Sequence, residues 1–202
     1  MITTTINRLL TEIADDKSDD KNTTSLKFKR ELYEYFDSAD YENSVAVEFG
    51  TYKGQTTRIL SHLFKTVYTI NITDNSEAKE INKDRTNIVY IDNFDLYSNT
   101  PIPIEGEVSV VLIDAGHQYN QVVCDINSAF KLNLTTDSYI IFDDYGLEKF
   151  KFHVRAAVNE GIFMGALTIK KRIGHEVGHS FGGTPPRILT ESEGVITKVI
   201  FK

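Results

Sequence analysis

The chain has 202 residues, 41% hydrophobic and 25% charged, which is room for one well-buried core and too little for two ordinary domains. A net charge of -7 without a long basic run argues against a dedicated nucleic-acid surface and suits a small or neutral partner. No apolar run approaches a membrane span, and residues 1–20 have neither a basic start nor an apolar centre, so the expected location is the cytosol.

Residues 3–13 carry Ile6, Leu9, Leu10 and Ile13 at helical spacing, predicting a short amphipathic helix ahead of a charged, mobile stretch over residues 15–21. A second helix is expected over residues 25–36, with Leu26, Phe28, Leu32, Tyr33 and Phe36 on or near one face. Its aromatics, Tyr35 included, are read as packing rather than as a base-stacking platform. Residues 1–44 thus form a helical lead-in to residues 45–202, where apolar strands alternate with helical stretches. Strands are expected over residues 45–47 (leaving the sheet at Glu48), 66–72, 87–91, 108–113 and 138–142, and helices over 56–62, 76–84, 119–132 and 150–160, while 93–107, with two prolines, is mostly loop. Two last strands, near 166–173 and 194–201, have no helix between them. The fold class is therefore α/β: a single doubly wound, Rossmann-like sheet of about seven strands, mostly parallel, with a C-terminal antiparallel hairpin at one edge. The single cysteine, Cys124, lies in an apolar run and is expected to be a buried packing thiol.

Ligands in such sheets bind beyond the carboxyl ends of the strands. The residues there are Glu48, then Asn71 and Asp74, then Asp92 and Asn93, then Asp114 and His117, then Asp143 and Asp144. After the first strand, Gly50 and Gly54 frame Thr51, Tyr52 and Lys53 in a turn where the backbone can approach a ligand closely. Glu48 beside that turn would repel a phosphate, and neither the P-loop nor the dinucleotide pattern is present. Three carboxylates converging at Asp114, Asp143 and Asp144 call for a cation, and an oxygen-rich cluster suits Mg2+ or Mn2+. The bland alternative is that Asp143 caps a turn and Asp144 pairs with a base such as Arg155, without metal.

The segments Val-Glu-Phe-Gly-Thr-Tyr-Lys-Gly-Gln-Thr-Thr, Ile-Asp-Ala-Gly-His-Gln-Tyr, Ile-Ile-Phe-Asp-Asp-Tyr-Gly and Val-Arg-Ala-Ala-Val together resemble the class I S-adenosylmethionine-dependent methyltransferases, in the branch of macrocin-type sugar O-methyltransferases and the small methyltransferase 24 proteins. The likeness runs from Val45 to the C-terminus. It implies that Glu48, Gly50 and Gly54, with Thr51 and Tyr52 of the same loop, line the methionine part of the cofactor, and that Asp92 and Asn93 lie beside the adenine. It implies further that Asp114, Asp143 and Asp144 bind the metal, that Asp114 also borders the cofactor, and that His117 is the base near an acceptor hydroxyl of a small molecule or sugar. One departure stands out: Asn71 takes the place of the acidic residue that grips the ribose. The rivals are a metal-free methyltransferase of the same fold with another acceptor, and a non-catalytic cofactor-binding module. The edge hairpin and the N-terminal helices both offer surfaces for a homodimer.

His175-Glu176-Val177-Gly178-His179 matches the zinc-protease signature as text. That chemistry needs a helix carrying both histidines on one face. Here the motif lies among Gly174, Gly178, Gly182, Gly183, Pro185 and Pro186, with Pro185 where a third histidine ligand would stand, so a mobile loop over the mouth of the site is expected instead.

Overall fold

A computed structural model describes residues 2–15, 23–98, 100–181 and 186–200. The charged stretch over residues 16–21, Gly182, Gly183 and Pro185 of the glycine-rich loop, and the end of the last expected strand at Phe201 lie outside the described residues.

Two helices lead in: α1 (Ile2–Asp15) and α2 (Leu26–Phe36), the latter capped by Ser25, whose hydroxyl accepts from the Phe28 N–H at 3.0 Å. Then come β1 (Val45–Phe49), α3 (Gln55–Ser61), β2 (Thr66–Ile70), α4 (Ser76–Ile81), β3 (Ile88–Ile91), β4 (Val108–Ile113), α5 (Tyr119–Phe130) and β5 (Leu134–Phe142). A 3-10 turn (Glu148–Phe150), α6 (Val154–Phe163), β6 (Leu167–Ile173), β7 (Ser180–Phe181), β8 (Arg187–Ile188) and β9 (Gly194–Val199) complete the chain. The helix expected over 150–160 is thus divided, its first turn being 3-10 and the α-helix starting only at Val154.

Seven strands form one sheet in the order β3-β2-β1-β4-β5-β9-β6. β1 to β5 pair in parallel, whereas β9 runs antiparallel between β5 and β6. The expected C-terminal antiparallel pair is present, with β6 at the edge and β9 inside. The strand order reverses between β1 and β4, so the crevice at their carboxyl ends is the topological switch point where such sheets take ligands.

Successive residues of a strand face opposite ways, and here both faces are covered. Val110 and Leu112 join Leu9, Leu32, Phe36 and Leu60 in the core under α1 to α3, while Val111 and Ile113 join Val122, Ile126, Val154 and Val158 under α5 and α6. The lead-in helices therefore pack on the sheet. The expected packing role of the α2 aromatics holds: the Phe36 ring lies within 4.9–5.9 Å of Tyr35, Tyr41, Phe64 and Tyr139. The expectation for Cys124 fails. It is exposed, because the buried face of α5 is set by Val122, Asp125, Ile126 and Ala129, and the position two residues after Val122 turns outward.

Phe36 joins α2 to β5 through Tyr139 and packs on the loop rings of Tyr41 and Phe64. Phe36→Ala is expected to cost about 3–5 kcal/mol of unfolding free energy, read from urea denaturation; a loss under about 1 kcal/mol would show that α2 is not integral to the core.

Candidate functional site

At the switch point a cavity of about 490 Å³ opens, lined on one side by Gly50, Tyr52, Ile70, Asn71, Ile72 and Thr73 and on the other by Asp114, His117, Asp143, Asp144, Phe181 and Arg187. Its size is typical of a small-molecule site. Phe94, Leu96 and Tyr97, from the loop after β3, form an apolar wall.

Gly50 makes this crevice possible. Its φ is +95°, and a Cβ there would meet the Asp114 carbonyl oxygen at 2.1 Å. The turn after β1 thus lies directly against the end of β4, a position open only to glycine. Gly54 (φ +75°) starts α3 with the same freedom and no room, since a Cβ would meet Ala78 and Asn82 at 2.7 Å.

Several residues expected to touch a ligand turn out to serve the frame. Glu48 is buried, accepting from Thr57 and, at 2.6 Å, from Thr69; it does not border the large cavity. Thr51 is buried as well and shares a 2.7 Å hydrogen bond with Thr69. With Gly54, both line only a small pocket behind the turn. The Asp92 carboxylate is taken up by the Asn75 backbone and side chain, at 3.1 and 2.8 Å, and by Lys79. Asp92 and Asn93 are therefore not on the cavity wall, and Ile72, Phe94 and Leu96 stand there in their place. Asn71 does line the cavity. Its Oδ1 accepts from the Ile72 N–H and its Nδ2 donates to Thr73, both at 3.1 Å.

The carboxylates after β4 and β5 do converge, but in a different set from the one expected. His117 Nε2 lies 2.8 Å from Asp144 Oδ2 and 3.8 Å from Asp114 Oδ1. These three residues each offer one ligand atom within 4.8 Å of the others. Asp143 lines the same cavity but is not a member of that group. Both residues lie just past the end of β5, and Asp144 has turned into the left-handed region (φ 56°). Asp144 pairs with His117, and Arg155 instead donates to Thr190 at 3.1 Å.

Burial first, and then the charge of Asp144, push the Asp114 carboxyl up to about 8. Asp143 is raised by burial and by Asp114 and Asp144. Burial alone would lower His117, but its hydrogen bond to Asp144 and the charges of Asp144 and Asp114 outweigh that and raise it. Phe150 stacks on the imidazole, with ring centroids 4.7 Å apart.

Two buried charged residues were not legible in the chain. Lys29 on α2 is 1% exposed and points among Asp143, Glu193, Asp114 and Glu48, which partly offset a desolvation that brings its pKa down to about 8. Its ammonium donates to Thr23 Oγ1 at 3.0 Å and to the Thr24 carbonyl. Glu193, just before β9, is 3% exposed and accepts from the Ser25 N–H and hydroxyl and from the His175 N–H, at 2.7, 2.6 and 2.9 Å. Helical periodicity offers only weak hints of either: Lys29 follows Phe28 on the apolar side of its helix.

The zinc-protease pattern forms no helix. His175 and His179 instead stack face to face, 3.6 Å between centroids, at the base of the short β7-β8 hairpin. As the loop reading implied, that hairpin reaches the site, bringing Phe181 and Arg187 to the cavity wall.

The family model described as "Methyltransferase domain" matches residues 47–145, the segment that supplies the β1 turn, the β4 exit and the β5 exit. Among solved structures, the N-methyltransferase NodS from Bradyrhizobium japonicum in complex with S-adenosylhomocysteine is similar at 15% identity and a TM-score of 0.64, over 99% of both chains. A "putative O-methyltransferase" from Klebsiella pneumoniae is similar at 13% identity and 0.62, over 97% of this chain and 90% of that one. An rRNA methylase from Streptococcus thermophilus follows at 14% and 0.57, over 86% and 94%. No curated protein sequence matches the chain. The chain thus matches a methyltransferase-domain model over residues 47–145 and shares the fold of these solved methyltransferases.

Raised carboxyl pKa values make the folded state bind protons that the unfolded chain has lost, so the stability from Glu48 (about 7), Asp114 (about 8) and Asp125 (about 7) is complete at low pH and lost as pH rises through those values. Lys29 acts in the opposite sense only above about 8, and His62, lowered to about 4 by burial, does so only up to its ordinary range, where the three carboxyls outweigh it. The thermal midpoint of the ligand-free protein should therefore fall between about pH 5 and about pH 8, and Asp114→Asn should flatten the slope. A midpoint rising across that interval in scanning calorimetry would contradict the burial of these groups.

Proposed function

We propose that this methyltransferase domain methylates a hydroxyl group of a small molecule or sugar, with His117 as the general base. The observation that carries this reading is the 2.8 Å contact between His117 Nε2 and Asp144 Oδ2 at the wall of the cavity. A hydroxyl is a poor nucleophile until its proton is removed, and an imidazole with a raised pKa takes that proton well near neutral pH. Asp144 accepts from Nε2–H and so holds the tautomer in which Nδ1 carries the free lone pair. The acceptor proton goes to Nδ1, and the resulting imidazolium is stabilised by Asp144 and by Asp114, 3.8 Å away.

When bound, S-adenosylmethionine supplies an electrophilic methyl group on a cationic sulfonium. Gly50, without a side chain, lets a ligand approach the backbone of the β1 turn, and Asn71 and Tyr52 flank that half of the cavity. The carboxyls of Asp114, Asp143 and Asp144 favour a cation there, and a bound cation would in turn favour their ionised forms. Phe94, Leu96 and Tyr97 exclude water from the wall opposite, which strengthens each of these interactions.

A divalent cation fits the same site. Asp114, Asp144 and His117 offer two oxygens and one nitrogen within reach of a single ion, and Asp143 Oδ1 is buried without a hydrogen-bond partner among the described residues. Asp114, Asp144 and His117 would hold it, and Mg2+ or Mn2+ would supply Lewis acidity that lowers the pKa of a bound hydroxyl. Cytosolic location and a small acceptor accord with the charge of the chain.

His117→Ala should reduce methyl transfer by about 100-fold or more while S-adenosylhomocysteine affinity, read by calorimetric titration, stays within about two-fold. Asp144→Asn removes the group that raises His117, so the acid limb of the rate profile should move to lower pH. Loss of cofactor binding in either variant, or an unshifted acid limb, would sink the assignment. Chelation decides the cation: activity abolished by EDTA and restored by Mg2+, with that response lost in Asp144→Asn, supports the metal reading, whereas unchanged activity leaves His117 and Asp144 as the whole apparatus.

A further inference from the structure

We propose that Arg187 forms an anion-binding subsite in the acceptor half of the cavity, so that the methyl acceptor carries a carboxylate or phosphate group besides its hydroxyl. This rests on the methyl-transfer reading for the word acceptor, but the subsite is argued from its own residues.

Among the described residues that line the cavity, Arg187 is the sole lysine or arginine. Its Nε is buried and has no hydrogen-bond partner, and no carboxylate of the described residues lies within ion-pair distance of its guanidinium. A buried donor on a charged group is costly to leave unmatched, so its natural complement is a ligand. The guanidinium is not loosely placed. It lies over the Phe181 ring, 5.1 Å from the centroid, and Phe181 is its direct partner across the β7-β8 hairpin. A cation–π contact with the ring helps to hold the guanidinium in place, and a guanidinium so held suits the forked contact that arginine makes with carboxylate or phosphate oxygens.

Its location identifies the half of the cavity. β8 packs against the 3-10 turn Glu148–Phe150, and Phe150 from that turn stacks on His117. Arg187 therefore stands on the side of the proposed base, whereas Gly50, Asn71 and Ile72 stand at the ends of β1 and β2. The remaining charge around it is negative: Asp114, Asp143, Asp144 and Glu193 line the same space. An anionic ligand would be repelled from these carboxylates unless one cation fixed its charged end away from them, and Arg187 is placed to do so. A neutral acceptor would leave that guanidinium without a partner.

The test uses the full chain and pairs of hydroxylated compounds that differ by one anionic group: glucose against glucuronate and glucose 6-phosphate, and catechol against 3,4-dihydroxybenzoate. Each is titrated calorimetrically with and without S-adenosylhomocysteine, on the wild type, Arg187→Gln and Arg187→Lys. In the wild type the anionic member should bind about ten-fold tighter than the neutral one, with glucuronate and 3,4-dihydroxybenzoate reporting carboxylate and glucose 6-phosphate reporting phosphate. Arg187→Gln should erase that preference and Arg187→Lys keep part of it, both with cofactor-product affinity unchanged. No anionic preference in the wild type, or a preference that survives Arg187→Gln, overturns the proposal. So does weakened S-adenosylhomocysteine binding in Arg187→Gln, which would assign the guanidinium to the cofactor's own carboxylate. Failure of the wild type to bind S-adenosylhomocysteine would instead fall on the methyl-transfer reading, and the titrations without it still decide the subsite.

Discussion

The ammonium of Lys29 is buried, and the carboxylates of Asp143, Glu193, Asp114 and Glu48 act on it electrostatically. Burying so much negative charge without a cation would be prohibitive, and burying a lysine without anions would be equally so. The arrangement explains why the lead-in helix cannot be separated from the sheet. Lys29 reaches in from α2, Ser25 at the start of α2 binds Glu193 through both its N–H and its hydroxyl, and Glu193 also accepts from His175. One acidic residue before β9 thus ties together the N-terminal helices, the last strands of the sheet and the base of the hairpin that carries Arg187.

The same charge balance shapes the chemistry. Where carboxylates crowd, burial and mutual repulsion raise their pKa values, as they do at Asp114 and Asp143. Asp144 is the one with an imidazole on it. The acidic end of the cavity therefore sets the local electrostatics and orients the imidazole of His117 through Asp144. Its opposite pole, among the described residues, is the guanidinium of Arg187 on a short hairpin outside the matched family segment. The acidic part of the cavity and its cationic part thus come from different stretches of chain, as expected where loops set specificity on a shared scaffold.

Strand exits proved a good guide to where polar residues gather and a poor guide to what each one does. Glu48, Thr51 and Asp92 all sit at exits, yet each is already hydrogen-bonded or ion-paired to one or more of Thr57, Thr69, Asn75 and Lys79. Those partners come from other elements, and no spacing rule relates them. Adjacent carboxylates at Asp143 and Asp144 likewise look equivalent as text, and only the structure shows that Asp144 has turned into the left-handed region. Cys124 shows the same limit on a helix: an apolar neighbourhood in sequence does not say which side of the helix is covered.

What the sequence by itself determined is the alternation of strands and helices, the glycine turn after β1, the cluster of acids with His117 at the β4 and β5 exits, and the absence of a helix under the His-Glu-x-x-His text. Each of these follows from local rules: hydrophobic period, backbone freedom at glycine, and the disposition of strand ends in a doubly wound sheet. What only the tertiary structure decided is the position of β9 between β5 and β6, the pairing of His117 with Asp144, the burial of Lys29 and Glu193, and the arrival of Phe181 and Arg187 at the cavity. These depend on contacts between residues as much as 168 positions apart, such as Ser25 and Glu193. Long-range pairing is set by the whole balance of buried charge and packed surface, and a one-dimensional pattern does not encode it.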